Sequence, residues 1–371
     1  MFKNLVKNTD YIVLICILIL FGIGVVGIYS AGYTTEVNKD EYIKQMIWFS
    51  AVAIMMIIVW SLDYKSFDIA GYILYGVNLL LLILVLFMPS LMGASSWFNL
   101  GGVLYQPSEF MKIGYIICAA KYMSMFKNTQ KGDKKKKAIL ISALCFLFLI
   151  PVGLILMQPD FGTAVVFAVI TVFMIFKMGI KYRYIILGIA LLIVLIPIVY
   201  FFFLNPIQQQ RIQVFIDPSL DPLGSGYNAI QSKIAVGSGM IFGTGLLKGA
   251  QTQFGYLPIK STDFIFSVIS EELGFVVSAS IVIIFVVLIL RLIHISKYAK
   301  DDFASLMVIG VAGMIFFHFV QNIGMTIGLL PITGVPLPFV SYGGSSLITN
   351  GLAIAIALNV SARRSKDTFL D

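Results

Sequence analysis

Ten apolar blocks, separated by short polar stretches, account for most of this chain. They run approximately over 11–31, 43–61, 70–88, 107–125, 138–157, 162–178, 184–204, 264–293, 303–330 and 343–361. A membrane-spanning helix needs about 20 apolar residues. Each block therefore predicts one span, and together they predict an all-α polytopic membrane protein of about ten transmembrane helices. One polar stretch breaks the rhythm. Residues 205–263 form a long connection between the seventh and eighth blocks, glycine-dense from Gly224 to Gly249 and closing on Lys260-Ser261-Thr262-Asp263. The block from Tyr11 to Ser30 has no small-residue cleavage site and is followed by further spans, so it reads as the first membrane helix.

Composition narrows the class. Of 371 residues, 59% are hydrophobic and 12% charged, where a soluble domain carries roughly 25% charged residues. The mean hydropathy is +0.96. A single integral-membrane domain over residues 1–371 is expected. With the N-terminus in the cytoplasm, 19 of the 26 basic residues fall in cytoplasmic segments, the others being Lys39, Lys44, Lys112, Arg211, Lys233, Lys248 and Lys260. The positive-inside rule then predicts both termini in the cytoplasm. It predicts an extracytoplasmic position for 89–106, 157–161, 205–263 and 331–342. The same bias accounts for most of the net charge of +8 without a nucleic-acid partner, and Lys134–Lys137 reads as a topogenic signal or a contact with anionic lipid. Cys16, Cys118 and Cys145 fall inside apolar blocks, which implies buried thiols and no disulfide or metal framework. His294 and His318 have no ligand-spaced companions and read as packing residues.

The candidate chemistry lies in the extracytoplasmic segments. Asp263 directly precedes the apolar run Phe264-Ile265-Phe266. A carboxylate there caps a helix, or it sits half-desolvated at the water–lipid boundary with the raised proton affinity of a general base. Lys260 nearby would act against that rise. Glu271 and Glu272 lie two turns into the same helix. At about 100° per residue Glu272 lies opposite Asp263 and Glu271 about a quarter turn off, so they read as structural or cavity-lining groups. Glu109 and Lys112 share a helix face three residues apart, in a helix that Pro107 starts. They form a buried ion pair or a substrate contact. Asp160, in Gln158-Pro159-Asp160-Phe161-Gly162-Thr163, is an N-cap or a substrate contact. Arg211, Lys233, Lys248 and Lys260 are cations that run against the positive-inside trend; they are solvated surface groups or hold an anion such as a pyrophosphate. The pairs around Gly237, Gly239, Gly243 and Gly245 lack a strand–helix unit and read as flexible chain or as tight re-entrant turns. The segment from Pro331 to Ser346, which includes Ser341, cannot be helical throughout and is expected to line the same cavity as the other extracytoplasmic segments.

These residues resemble the SEDS family, the group of RodA, FtsW and SpoVE. The resemblance rests on Gln106-Pro107-Ser108-Glu109, Gln158-Pro159-Asp160-Phe161-Gly162-Thr163, Asp221-Pro222-x-Gly224-x-Gly226-Tyr227 with Gln231-Ser232, Thr262-Asp263-Phe264-Ile265-Phe266, Glu271-Glu272-Leu273-Gly274, and the run from Gly334 to Ser346. It spans nearly the whole chain in order. It implies ten transmembrane helices and a peptidoglycan glycosyltransferase that polymerises lipid II in cell-wall biogenesis. It also implies a class B penicillin-binding protein as the transpeptidase partner. The family's essential aspartate falls on Asp263, and its conserved helix pair on Glu109 and Lys112. Asp160, Arg211, Lys233, Lys248 and Ser341 join that pair as candidate substrate contacts. Gly249-Ala250-Gln251-x-Gln253 is closer to RodA than to FtsW. Two departures stand out: the family's Pro-Glu-x-His-Thr-Asp reads Pro258-Ile259-Lys260-Ser261-Thr262-Asp263 here, and Ser96 rather than arginine precedes Trp97.

Transfer from a pyrophosphate donor to a sugar hydroxyl with inversion needs one base on the acceptor and charge stabilisation on the leaving group. Inverting glycosidases need a general acid as well. Asp263 suits the base; Arg211, Lys233, Lys248 or a divalent cation such as Mg2+ or Mn2+ suits the pyrophosphate. A lipid II flippase, a division or sporulation paralogue, and a non-catalytic scaffold are the competing expectations. A transporter keeps its ionisable groups near the bilayer midplane, whereas Asp263 falls at the outer edge.

Overall fold

A computed structural model of the chain describes residues 2–34, 38–88, 96–101, 103–130, 133–179, 206–222 and 224–364, with the single positions 183 and 201. The predicted span 184–204, apart from position 201, lies outside the described residues, as does the stretch 89–95. Every other apolar block is a helix. After a short α1 (Phe2–Asn8) come α2 (Tyr11–Gly32), α3 (Glu41–Ser61), α4 (Phe67–Val85), α5 (Pro107–Asn128), α6 (Lys134–Met157) and α7 (Phe161–Lys177). The bundle closes with α11 (Ile265–Lys297), α12 (Asp302–Thr326) and α13 (Gly344–Ala362). The helix starts carry local signals. Pro107 opens α5, while Asp133, Asp160 and Asp301 accept from the main-chain amides of Lys136, Thr163 and Ala304.

Seven of these helices are long and apolar enough to cross a membrane, and α7, at 17 residues, is apolar but shorter. The chain is a multi-pass, all-α membrane protein. α5 stands apart because it carries Glu109, Lys112, Lys121 and Lys127, yet every residue from Met111 to Ala120 is buried. It is a central helix shielded from lipid by its neighbours. The apolar window of α13 is 83% buried and that of α12 72%, against 17% for α3 and α6. α5, α12 and α13 therefore form the interior, and α3 and α6 face lipid. α5 packs on α4, α6 and α12; α12 packs on α7 and α11; α13 packs on α3, and α11 on α2. A hairpin of β1 (Phe98–Leu100) and β2 (Val103–Tyr105), with Phe98 opposite Tyr105, precedes α5.

The connection 205–263 is largely helical rather than an open loop. It contains α8 (Pro206–Ile216), a 3-10 turn (Pro218–Leu220), α9 (Ser225–Ser238) and α10 (Ala250–Gln253). The reason is visible at α11, which is interrupted at Gly274 (φ 78°, ψ −175°). An interruption at membrane depth frees backbone groups that lipid cannot satisfy. Here the glycine-dense stretch enters the gap. Thr244 and Gly245 donate their main-chain N–H groups to the carbonyls of Glu271 (2.9 Å) and Glu272 (3.0 Å). In return, Phe275 and Val276 donate to the carbonyls of Met240 (2.9 Å) and Ile241 (3.2 Å). The approach is too close for a side chain: a Cβ on Gly243 would lie 2.1 Å from the Glu272 carbonyl oxygen.

Candidate active site

Asp263 lies in the irregular turn before α11. The N-cap position is held by Phe264, whose side chain makes no cap, so the carboxylate stands one residue outside the helix end. It is half-buried, and its Oδ2 lies 3.5 Å from where a Cβ would sit on Gly334. Gly334 has φ +71°, a conformation that glycine adopts without strain. The absence of a side chain there leaves the carboxylate room on that side.

Main-chain hydrogen bonds hold the turn in place. Asn322 of α12 donates its side-chain amide to the carbonyls of Asp263 (3.0 Å) and Val335 (2.9 Å). Ser341 Oγ donates to the Thr262 carbonyl (2.7 Å) and accepts from the Leu337 N–H (2.8 Å). The Tyr342 N–H donates to the Ser261 carbonyl at 2.9 Å. Gln45 of α3 donates to the Ser341 carbonyl (3.0 Å) and accepts from the Gly343 N–H (3.3 Å). The segment 331–343 is non-helical; Val335, Leu337, Phe339, Val340 and Ser341 are buried within protein, while Gly334 is exposed. It is joined to the Asp263 turn along its length.

The same segment reaches the other candidate groups. A Cβ on Gly162, at the start of α7, would meet the Thr333 carbonyl oxygen at 2.9 Å. Two residues before Gly162, Asp160 caps α7 through Oδ1 and the Thr163 N–H (3.0 Å), while its Oδ2 accepts from Thr163 Oγ1 (2.8 Å) and Gln106 Nε2 (3.2 Å). Burial pushes the Asp160 carboxyl above its usual range; the Thr163 hydrogen bonds oppose this and the Glu109 charge adds to it. The Gln106 N–H donates to Ser345 Oγ (3.4 Å), which itself donates to the Leu104 carbonyl (2.9 Å) and so fastens the hairpin to α13.

Glu109 and Lys112 form a buried pair at 2.7 Å. Lys112 Nζ also lies 3.1 Å from His318 Nε2. An ammonium has only donors to offer, so Nε2 accepts and the imidazole is neutral with its proton on Nδ1. His318 was not recognisable from the sequence as part of this group. It lies 206 residues away in another apolar block, and no local spacing signals it. Glu109 Oε2, Ser108 Oγ, His318 Nδ1 and Thr333 Oγ1 are buried polar atoms with no hydrogen-bond partner among the described residues.

Glu271 and Glu272 do not join Asp263. Glu271 accepts from the N–H groups of Gln251 (2.8 Å) and Thr252 (3.0 Å) and from Thr252 Oγ1 (2.7 Å), so it serves as the anion at the start of α10. Glu272 accepts from Ser30 Oγ, Gln253 Nε2 (2.7 Å) and the Leu247 N–H (3.1 Å), which ties α11 to α2 and to the re-entrant stretch. Lys260 turns away from Asp263. Its Nζ is buried against the Thr252 carbonyl (2.9 Å) and Thr34 Oγ1 (3.4 Å). Burial lowers its proton affinity, which the Glu272 and Glu41 charges partly restore. Ser261 is buried beside this turn, and its carbonyl accepts from the Tyr342 N–H.

Lys233 is exposed on α9 with its aliphatic stem over Gly328, just past the end of α12. Lys248 is exposed on the stretch docked into the α11 break and lies along Gly245. Arg211 belongs to α8, and its side chain lies outside the described residues. Among the described residues no three His, Cys, Asp or Glu side chains gather as a metal-ligand group.

The sequence profile of the family described as cell cycle protein, which covers FtsW, RodA and SpoVE, matches residues 10–366. The peptidoglycan glycosyltransferase RodA of Treponema pallidum is 34% identical, over 97% of this chain and 99% of its own. The peptidoglycan glycosyltransferase MrdB of Escherichia coli is 36% identical over 84% and 83%, and the stage V sporulation protein E of Bacillus subtilis 37% over 95% and 97%. Among solved structures, a chain from a peptidoglycan synthase complex that coordinates polymerization and crosslinking superposes with a TM-score of 0.80. That chain is 29% identical, over 97% of this chain and 99% of its own. The rod shape determining protein RodA of Thermus thermophilus superposes with a TM-score of 0.69 at 27% identity, over 97% and 98%.

Proposed function

Because the chain belongs to the FtsW/RodA/SpoVE family of cell cycle proteins, we propose that it is a peptidoglycan glycosyltransferase that polymerises lipid II, with Asp263 as general base. An acceptor sugar hydroxyl attacks the anomeric carbon of the donor. The carbon–oxygen bond to pyrophosphate breaks, and its electron pair leaves with the polyprenyl pyrophosphate. The hydroxyl proton passes to Asp263 Oδ2. Pyrophosphate leaves without needing a proton, so one carboxylate suffices.

The observation that carries this reading is the setting of Asp263. Its carboxylate faces a glycine, and its main chain is held by Asn322 while its neighbours are held through Ser341 and Tyr342. A base fixed by backbone ties needs little reorganisation on reaching the transition state. Lys233, with Lys248 and Arg211 on the same long connection, supplies positive charge for the leaving pyrophosphate. Glu109, Lys112 and Asp160 are assigned to substrate contact from the side of α5 and the start of α7. Ser341 acts by positioning the aspartate turn. A divalent cation, if used, arrives with the substrate phosphates, which need only one or two protein carboxylates; no step above depends on it. The charge pattern supports a cytoplasmic position for both termini and an extracytoplasmic one for Asp263.

Purified protein given labelled lipid II should produce glycan chains, and Asp263→Ala should produce none while melting like the parent. An alanine variant that polymerises at the parental rate removes the base from this mechanism. The family resemblance makes a class B penicillin-binding protein the proposed partner; the similar chain from a peptidoglycan synthase complex that coordinates polymerization and crosslinking supports this, and co-purification tests it. Gly249-Ala250-Gln251-x-Gln253 supports a role in elongation and cell shape. Depletion should then give rounded cells; filaments would assign the protein to division.

A further inference from the structure

The end of the bundle opposite Asp263 holds a polar cleft, of about 530 Å3, lined by Tyr64, Lys65, Asp68, Lys121, Lys136 and Asp301, among others. It opens where α5 ends and where α4, α6 and α12 begin. Both chain ends are at this end too: Ser361 Oγ donates to the Asn8 carbonyl (3.3 Å), and Arg363 to the Ser61 carbonyl (3.0 Å).

The charges of this cleft are not all spent on one another. Lys121 pairs with Asp68 Oδ2 and lies 6.0 Å from the centre of the Phe303 ring. Asp301 accepts from Tyr64 Oη (2.7 Å) and from the Ala304 N–H (2.8 Å). Lys65 and Lys136 are exposed and have no carboxylate partner among the described residues. The Asp68 side chain is 29% exposed in the cleft, and Lys121 engages its Oδ2. The cleft thus offers two ammonium groups without a carboxylate partner and one partly exposed carboxylate.

Its walls continue into apolar surface. Ile139, one turn beyond Lys136 on α6, is 60% exposed, and Tyr72, one turn beyond Asp68 on α4, is 43% exposed. Both lie deeper along their helices than the charged rim. A soluble anion has no use for that continuation; an acyl chain has.

We propose that this cleft seats one phospholipid of the adjacent leaflet, whose headgroup carries a phosphodiester together with a hydroxyl or ammonium donor. The phosphodiester meets Lys65 and Lys136, the donor meets the exposed part of the Asp68 carboxylate beside Lys121, and the acyl chains run along Ile139 and Tyr72. This assignment is independent of the glycosyltransferase reading.

Delipidated protein in detergent, titrated with single lipids and followed by native mass spectrometry, tests it. Phosphatidylglycerol and phosphatidylethanolamine should each be retained at one per chain. Phosphatidylcholine, with the same phosphodiester but no donor, should bind several-fold more weakly. Lys65→Gln/Lys136→Gln should weaken retention by at least about tenfold more than Lys134→Gln/Lys135→Gln, whose lysines adjoin the cleft without lining it. Ile139→Gln, which leaves every charge in place, should also weaken it. Equal loss in both lysine pairs, or phosphatidylcholine binding as tightly as the others, would overturn the site in favour of diffuse surface charge. Inorganic phosphate displacing the lipid at equal concentration would overturn it in favour of a free anion.

Discussion

The side-chain amide of Asn322 donates to the main-chain carbonyl of Asp263 at 3.0 Å, and its second bond, to Val335 at 2.9 Å, ties the aspartate turn to the strip that faces it. Asn322 is fully buried. One residue of an interior helix therefore sets the distance between the carboxylate and Gly334.

Asn322→Ala should lose both ties and leave two buried carbonyls short of a donor, at about 1–3 kcal/mol each. A displacement of about 1 Å at a reacting group costs about a hundredfold in rate, so lipid II polymerisation should fall by that order. Full activity together with an unchanged melting temperature would contradict the positioning role.

Gly274→Ala should be among the most damaging single substitutions outside the site. Its φ of 78° disfavours any side chain, and a Cβ would lie 2.2 Å from the Gly243 nitrogen. Strain and clash together predict a loss of more than about 3 kcal/mol. Gly76→Ala, with nothing within 4 Å, should instead be neutral or gain about 0.5–1 kcal/mol. Thermal melting of the two variants in one detergent makes the comparison.

Lys112→Met should leave Glu109 buried without its cation and cost about 3–5 kcal/mol. Adding Glu109→Gln removes the orphaned charge, so the double variant should be more stable than Lys112→Met alone. A double-mutant cycle measures the coupling; additive losses would mean that the 2.7 Å pair contributes nothing.

Asp160→Asn keeps an N-cap residue on α7 and removes the titration. The folded protein raises the Asp160 carboxyl, mainly through burial, so it holds that proton more firmly than the unfolded chain does. The native state then binds more protons between about pH 3.9 and the raised value, and stability falls as pH rises through that window. Relative to the parent, Asp160→Asn should melt at a similar temperature below about pH 4 and progressively higher toward neutral pH. A difference between the two that stays flat with pH would place the carboxylate in water.

The order of the apolar blocks by itself determined the membrane class and the bounds of nine of the described helices to within a few residues, because lipid demands an apolar helix wherever the chain crosses. The same rule required the Pro/Gly segment after α12 to be irregular and enclosed. Local spacing brought Glu109 and Lys112 onto one face and made Asp160 a cap. Tertiary structure alone brought His318 to Lys112, turned Lys260 away from Asp263 and set Gly334 opposite that carboxylate. It also repaired the break in α11 with the glycine-dense stretch, whose turns local sequence suggests but whose partner it does not name. The physical reason is range. Hydropathy and capping act within a few residues, whereas a buried hydrogen bond between segments far apart in the chain depends on how the helices pack.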